Sequence, residues 1–362
     1  MAKYRVGVVG CGGISRVHAH SYLAEESTEI VCCSDIKKEA ADKFGEEFKI
    51  PEKSCYLDHN DMLESEKPDI VSICTWHGSH SMITVDACKA GVKGILCEKP
   101  IATCLGDADA MLEAAEASGT KLIIGHQGRF NSVATKARQL IRAGAIGQPT
   151  AAFRRSGDGL LNNGTHAIDN LRYILGDPKA LWVIGQVSRH TDKWERRTRI
   201  EDLCMGLICF EGGTRFVIES DLPSPEHAGP DVYGTEGSLR MGNDAVYLMN
   251  KDQAGWKEVK PSEPVESEKA IMQEGWSAPA GISPGQTAEL VAWIEGRIEE
   301  HRGAARHARA AMEIMMAIYE SLRTHNVVFM PLEIRQSPLE LMIDGNSLPV
   351  TKSGKYDIRV PF

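Results

Sequence analysis

A glycine-rich turn near the N-terminus has the residue types and spacing of a phosphate-binding loop. The apolar run at residues 6–9 leads into Gly10-Cys11-Gly12-Gly13-Ile14-Ser15, and a helical pattern follows. Gly10 permits a tight turn, and Gly12 has no side chain to block a pyrophosphate seated against the free N–H groups of that helix. This arrangement is typical of a dinucleotide-binding βαβ unit. The cofactor contacts predicted in the loop are Gly10, Gly12, Gly13, Ile14 and Ser15.

An acidic residue ends the second predicted strand. Ser15 occupies the position where a third Gly or Ala is usual, and Asp35 lies twenty residues after Ser15. An acid at this point accepts hydrogen bonds from the adenosine ribose hydroxyls of NAD and repels a 2′-phosphate. Lys37 and Lys38 are the counter-argument, because a nearby cation can accommodate that phosphate. We therefore predict NAD as the cofactor, in preference to NADP.

Polar residues also follow two later predicted strands, residues 69–75 and 94–98. Ligands of open parallel sheets gather at the carboxyl ends of the strands. The further cofactor contacts predicted there are Thr75, His77, His80, Glu98 and Lys99. Lys99 has a second predicted role, because a cation facing the nicotinamide can orient a substrate hydroxyl and stabilise its alkoxide. The alternative is an ordinary solvated surface lysine.

His166 is the candidate general base. Thr165 is placed to cap a helix that begins at His166, and the field at a helix N-terminus favours a neutral imidazole able to accept a proton. Asp169, three residues later, would orient the ring while favouring its protonated form. A structural histidine is the alternative. His77 and His80 lack an acidic partner nearby, so no metal site is predicted.

The composition narrows the class of protein. The chain has 362 residues and a net charge of −9, which argues against nucleic acid or an anionic membrane as the partner. The sequence enters a strand within its first residues, and no apolar run has the length of a membrane span, so neither a signal peptide nor a membrane segment is expected. The ten cysteines contain no CxxC pair, which indicates a reduced cytoplasmic protein without a structural zinc.

The order of predicted elements indicates an α/β fold with two domains. Residues 1–125 alternate strands and helices, as expected of a doubly wound Rossmann domain that binds a dinucleotide. Residues 126–362 are predicted as an α+β domain with a largely antiparallel open sheet. Within it, residues 251–282 are predicted as an exposed loop, helices at 286–300 and 304–323, and residues 331–362 as a terminal hairpin or arm. The methionine-rich face of the last helix, around Met312 and Met316, is predicted as core.

Several short motifs, taken in order, make the chain resemble the Gfo/Idh/MocA oxidoreductases, the family of glucose-fructose oxidoreductase and inositol dehydrogenase. The motifs are Glu98-Lys99-Pro100, the segment 125–130 with Arg129, the N-x-G-x-H segment ending at His166, residues 232–237 and the helix at 317–321. The resemblance covers residues 3–331. It implies a Rossmann domain followed by an open-sheet domain, and dimers or tetramers formed through that sheet.

The resemblance also implies roles for individual residues. Lys99 matches a lysine that contacts nicotinamide and substrate, His166 a proton acceptor, and Asp169 an acid often found three residues after it. Arg129 and Asn162 are expected to bind substrate with Lys99 and His166. Asn162 stands where the family has an acid, so it can bond a sugar hydroxyl but cannot share a proton.

A second departure from the family is at the third strand, where Trp76 and His77 replace the usual Pro and Asn. The indole of Trp76 is predicted to stack on a sugar ring or nicotinamide, or else to be packed in the interior.

Together these patterns predict an NAD(P)-dependent dehydrogenase that acts on a secondary alcohol of a sugar, cyclitol or sugar derivative. Lys99, His166, Asn162 and Asp169 are the predicted catalytic residues. Two alternatives remain open: a glycosidase that oxidises its substrate transiently with tightly held NAD, and a non-catalytic nucleotide sensor.

Overall fold

The computed structural model describes residues 3–157, 159–220, 230–252, 255–261 and 284–360. The helices are α1 Gly13–Leu23, α2 Lys38–Phe48, α3 His59–Glu66, α4 His80–Lys89, α5 Leu105–Ser118, α6 Ser132–Arg142, α7 Thr165–Leu175, α8 Pro284–Ile294, α9 Ala305–Thr324 and α10 Pro338–Asp344. Strands β1–β6 are Tyr4–Val9, Thr28–Ser34, Cys55–Tyr56, Ile70–Ile73, Gly94–Cys97 and Lys121–Ile124. Strands β7–β12 are Pro149–Ser156, Ala180–Ser188, Thr191–Glu195, Thr198–Arg199, Leu203–Phe210 and Arg215–Ser220. Strands β13–β18 are Asp231–Gly234, Gly237–Met241, Val246–Asn250, Lys257–Val259, Val328–Phe329 and Lys352–Asp357.

The described residues form two compact units, and the first comprises 3–102, 107–130 and 284–306. Its six-stranded sheet has the order β3-β2-β1-β4-β5-β6, and every pair in it is parallel. The order reverses between β1 and β4, which is where ligands bind in doubly wound sheets. The predicted Rossmann fold is confirmed.

Helix α8 belongs to this first unit although it lies far along the chain. Leu290 and Val291 are buried in one core cluster with Val6 and Ile123. The predicted domain boundary at residue 125 stays a prediction, because compact units need not coincide with independently folding domains. The helix also ends at Ile294, earlier than the predicted 300.

The second unit comprises residues 103–106, 131–157, 159–220, 230–252, 255–261 and 307–360. Its main sheet has the order β16-β15-β14-β13-β7-β12-β11-β8-β17, and among the described strands only the β7–β12 pair is parallel. Helix α9 lies against one face. A Cβ at Gly185 would come within 2.4 Å of the carbonyl oxygen of Ile318, so only glycine allows this close approach. The methionine face is core, as predicted, with Met312 and Met316 fully buried.

Two predictions for the second unit are wrong in part. The stretch predicted as a loop from 251 contains β16, which pairs with β15; residues 253–254 and 262–282 of it lie outside the described residues. Residues 331–360 form no hairpin, because β18 pairs in parallel with the distant strand β9 and helix α10 precedes it. Within the described residues, no helix combines the length and apolar character needed to cross a membrane.

Candidate active site

The glycine loop joins β1 to α1 at the switch point of the first sheet. Gly10 has φ +88°, and a Cβ there would lie 2.9 Å from the backbone of Cys74, so no other residue fits this turn. By contrast, a Cβ at Gly12 or Gly13 would meet no atom within 4 Å in the described part of the chain beyond its own neighbours and helix. Gly12 is the N-cap of α1 and provides no side-chain cap. The loop thus keeps an open space beside an uncapped helix N-terminus, as a pyrophosphate requires.

Asp35 and the glycine loop are joined directly. The Oδ2 atom of Asp35 accepts a hydrogen bond from the Cys11 N–H at 2.8 Å, and Oδ1 accepts one from the Lys37 N–H at 2.8 Å. A carboxylate has about four acceptor positions, so both oxygens retain capacity for ribose hydroxyls. The Lys38 ammonium bonds both oxygens of Asp42, and this hydrogen bond raises the pKa of Lys38. That cation is therefore engaged away from Asp35.

Arg16, which the sequence analysis did not single out, is a further charge at this loop. Its Nη1 donates to the carbonyl oxygens of Cys11 and Gly12 at 3.3 and 2.9 Å, and its Nε bonds Glu47 at 2.8 Å. In the sequence, Arg16 is a basic residue in the first turn of a predicted helix, and such residues usually lie on the surface. Only the folded loop brings the guanidinium to the carbonyl oxygens of Cys11 and Gly12.

Lys99 follows the end of β5 and is half-buried. The peptide bond between Lys99 and Pro100 is cis. Glu98 is 5% exposed, and its Oε2 accepts the Lys99 N–H at 3.2 Å. A Cβ at Gly125 would lie 2.9 Å from the Glu98 Oε1, so the glycine leaves room for this carboxyl group. Glu98 thus contacts the backbone of Lys99, which makes it a support for that residue.

Thr75 lies in the loop after β4, and His80 is the first residue of α4. The His80 ring is fully buried, with Nδ1 2.9 Å from the carbonyl oxygen of Pro100 and Nε2 3.2 Å from that of Thr75. Burial lowers the pKa of His80 despite these carbonyls. The ring therefore links this loop to the Lys99–Pro100 turn, and a direct cofactor contact by His80 stays a prediction. His77 is also buried, whereas the Trp76 indole is 44% exposed and is not packed in the interior.

Arg129 is 1% exposed, and its Nη1 donates to the carbonyl oxygen of Arg302 at 3.1 Å. This contact lies within the first unit and joins the segment after β6 to the chain beyond α8. Substrate binding by Arg129 stays a prediction.

In the second unit, His166 lies near the start of α7, but the helical backbone begins earlier than predicted. A π-helical segment, Gly159–Gly164, runs directly into α7, and Gly164 has helical dihedral angles. Thr165 is the first residue of α7 and not its N-cap, so that prediction is wrong. The α-helical pattern hid the change because π-helical turns have no distinct sequence period. The helix N-terminus therefore lies at Gly159, and its field on His166 is weaker than expected.

Three of the predicted site residues lie on this segment and its continuation in α7. Asn162 and Asp169 are 3% and 1% exposed, and His166 is partly exposed. His166 and Asp169 are one helical turn apart, which places them on the same face. The structure thus places the predicted residues Asn162, His166 and Asp169 on one continuous helical segment.

Glu201, which the sequence analysis missed, anchors the start of this segment. It is fully buried; Oε1 accepts the Leu160 N–H at 2.6 Å and Oε2 accepts the Tyr319 hydroxyl at 2.7 Å. Both oxygens accept hydrogen bonds, as those of an ionised carboxylate do. The available sequence signal is an acid beside apolar residues just before β11, which alone does not predict a partner 41 residues away.

Each unit therefore contributes one part of the predicted chemistry. The first combines an open glycine loop, a fixed acid at Asp35 and a supported lysine at a strand end. The second carries a histidine beside a buried acid on an anchored helical segment.

Comparisons with known proteins agree with this architecture. Residues 4–126 match the model of an oxidoreductase family with an NAD-binding Rossmann fold, and residues 134–240 match the GFO/IDH/MocA C-terminal domain. A D-apiose dehydrogenase of Paraburkholderia graminis is 28% identical over 76% of this chain and 80% of its own length. A myo-inositol 2-dehydrogenase of Thermotoga maritima is 27% identical over 66% of this chain and 75% of its own.

Among solved structures, an NAD-binding oxidoreductase from Klebsiella pneumoniae superposes with a TM-score of 0.77 at 19% identity, covering 92% of this chain and all of that chain. At this identity the likeness concerns the fold. The two family models together span well over half of the chain. The protein belongs to the Gfo/Idh/MocA family of oxidoreductases.

Proposed function

We propose that the protein is an NAD-dependent dehydrogenase that oxidises a secondary alcohol of a sugar, cyclitol or sugar derivative. The observation that carries the proposal is the bond between the Cys11 N–H and the Asp35 carboxylate. It joins the open glycine loop to the acid that we propose binds the ribose. Relatives named for a sugar, D-apiose, and for a cyclitol, myo-inositol, support the substrate class.

We assign separate roles in this reaction to individual residues of the chain. Gly12 and Gly13 leave space for the pyrophosphate, and Asp35 binds the ribose diol. When bound, NAD supplies the hydride acceptor. Lys99 holds the substrate oxygen and stabilises negative charge on it, while His166 accepts the hydroxyl proton. Asp169 orients the imidazole, and Asn162 bonds a neighbouring hydroxyl.

Asp35 also determines the preferred nucleotide. Its charge repels a 2′-phosphate, and Lys38 is engaged by Asp42. We expect a higher kcat/KM with NAD than with NADP for the same substrate. A clear preference for NADP would contradict this assignment.

The remaining assignments are part of the same proposal. Residues 1–125 act as the nucleotide domain, and residues 126–362 act as the substrate and oligomerisation domain. The protein is cytoplasmic, which its ten free thiols support. A homodimer or homotetramer forms through the main sheet. On the face opposite Gly185 and Gly206, the apolar side chains Ile184 and Met205 are 42% and 47% exposed. Light scattering of the wild type and a Met205→Glu variant tests this interface.

The deciding experiment is a screen of sugars, inositols and aldonates with NAD, read by NADH absorbance. Stoichiometric NADH supports the proposal. Product formed without net NADH favours the transient-oxidation glycosidase, and NAD binding without turnover of any substrate favours the sensor.

Gly12→Val is a matched test of the nucleotide site. Apart from its chain neighbours and its own helix, no atom of the described residues lies within 4 Å of a Cβ at Gly12, so we expect an unchanged melting temperature. The added side chain fills the pyrophosphate space, and the Kd for NAD should rise by at least about tenfold. An unchanged Kd would place the nucleotide elsewhere.

A further inference from the structure

His18 is a buried ionisable residue that the proposed chemistry does not use. It lies in α1 and is fully buried. Its Nε2 is 2.9 Å from Oε1 of Glu98, and its Nδ1 is 2.7 Å from Oγ of Ser72 in β4. One ring therefore joins α1, β4 and the end of β5, where Lys99 follows.

The surroundings of the ring favour its protonated form. Burial lowers the pKa of His18, but the neighbouring Cys74 sulfur and Glu98 carboxyl group outweigh burial and raise it to about 10. As an imidazolium, the ring donates one N–H to Ser72 and the other to Glu98. Burying a carboxylate without a partner costs free energy. The hydrogen bond from His18 offsets that cost for Glu98.

Glu98 passes this constraint to Lys99. One of its oxygens faces His18, and the other accepts the Lys99 N–H at 3.2 Å. The carboxyl group also lies so close to Gly125 that a Cβ there would be 2.9 Å from Oε1. It is therefore held on several sides, and the Lys99 side chain starts at the atom next to the bonded nitrogen.

We propose that His18 is a positioning residue for Lys99, which it holds through Glu98 so that the ammonium is aimed at the substrate oxygen. The proposal rests on the role of Lys99 in the proposed function. A solely structural histidine would affect stability and leave turnover per folded molecule unchanged.

The experiment compares His18→Leu and His18→Gln with the control Ser21→Ala. The amide nitrogen of Gln reaches the position of Nε2 and can still donate to Glu98, whereas Leu cannot. Ser21 lies on the same helix, is fully buried and has Oγ 2.6 Å from Oγ1 of Thr287, so its loss destabilises α1 without involving Glu98.

We expect His18→Leu to lower kcat by about 10- to 100-fold, because small misplacements of catalytic groups cost up to about 10² in rate. The KM for substrate and the Kd for NAD should change by less than about threefold, since the glycine loop is untouched. His18→Gln should recover most of kcat, and Ser21→Ala should keep it. A His18→Leu enzyme with normal kcat, or an equal loss in Ser21→Ala, would overturn the proposal.

Hydrogen–deuterium exchange of residues 97–102 tests the same contact without any activity. Exchange there should become faster in His18→Leu and stay unchanged in Ser21→Ala; no change in either would also overturn the proposal. If the wild type oxidises nothing, the proposed function fails while this measurement still tests the contact.

If His18→Leu does not fold, Ser72→Ala provides a second variant, because it removes the hydrogen-bond acceptor on the other side of the His18 ring. A several-fold lower kcat at unchanged KM is then the expected result, and an unchanged kcat the contrary one.

Discussion

Lys99 in the first unit and His166 in the second are each supported by a buried glutamate, but at different distances. Glu98 is adjacent to Lys99 and bonds its backbone N–H, while the His18 ring holds the carboxyl group from the other side. Glu201 bonds the N–H of Leu160, six residues before His166, and its other partner is the neutral hydroxyl of Tyr319. Lys99, at the strand end, is supported by a direct contact with Glu98. His166 is supported indirectly, through the helical segment that Glu201 anchors. Loss of a support should therefore cost more at Lys99.

The largest effect is expected from Lys99→Met. Removing a donor that stabilises a developing oxyanion costs about 10²- to 10³-fold in kcat. The Kd for NAD, measured by fluorescence titration, should change little. Lys93→Met is the control, because Lys93 is an exposed lysine just before the same strand and pairs with Asp69 at 2.7 Å. Near-normal turnover of Lys99→Met would make Lys99 a surface residue and remove one side of the comparison.

His166→Ala should lower kcat by about 10²-fold, the lower end of the usual contribution of a general base. The remaining activity should lose the acidic limb of its pH–rate profile, since that limb reports protonation of the base. The exposed His325, at the end of α9, provides the control variant His325→Ala. If the limb persists without His166, another group is the base, and Asp169 is the first to test.

Glu201→Gln should reduce kcat by about tenfold, within the range expected for a small displacement of a catalytic group. Leu160 N–H and the Tyr319 hydroxyl both donate to Glu201. In Glu201→Gln the amide NH₂ group faces one of these two donors and cannot accept from it, so one hydrogen bond is lost. Tyr319→Phe removes only the second bond and should cost less. A greater loss in Tyr319→Phe than in Glu201→Gln would mean that the carboxyl group does not hold the π-helical segment.

The smallest effect concerns stability and contrasts two buried histidines of the first unit. Burial above all lowers the pKa of His301 to about 4. Its Nδ1 accepts the Gly303 N–H at 2.8 Å, which requires a neutral ring. The unfolded chain takes up a proton nearer pH 6.5, so the free energy of unfolding should fall as the pH drops from 6.5 to 4. Urea unfolding of His301→Asn, which keeps an acceptor for Gly303, should show a weaker fall.

His18 should behave in the opposite sense. Its folded-state pKa, about 10, lies above the ordinary 6.5, so its contribution to stability is complete below pH 6.5 and is lost as the pH rises towards 10. The stability difference between the wild type and His18→Gln should therefore shrink with rising pH. A difference independent of pH would mean that His18 is neutral.

Local patterns predicted much of this molecule. The glycine turn, the acid twenty residues later and the short apolar strands depend on neighbours in the chain, so the Rossmann sheet could be read directly. His18 was missed although a signal exists: it shares with Ser15 and Tyr22 the buried face of α1, and an ionisable residue on such a face needs a partner. Thr165 was misassigned because a π-helical segment before α7 leaves no mark in the spacing of apolar residues.

The sequence by itself determined the nucleotide loop, the position of Asp35 and the placement of Lys99 at a strand end, since each depends on residues close in the chain. Only the tertiary structure decided that α8 completes the first core, and which buried groups hold Lys99 and His166. Glu98 and His18 are 80 residues apart, and Glu201 and Leu160 are 41 apart. Burial away from water makes each such polar group require a partner, but the fold alone determines which distant residue comes within hydrogen-bond distance.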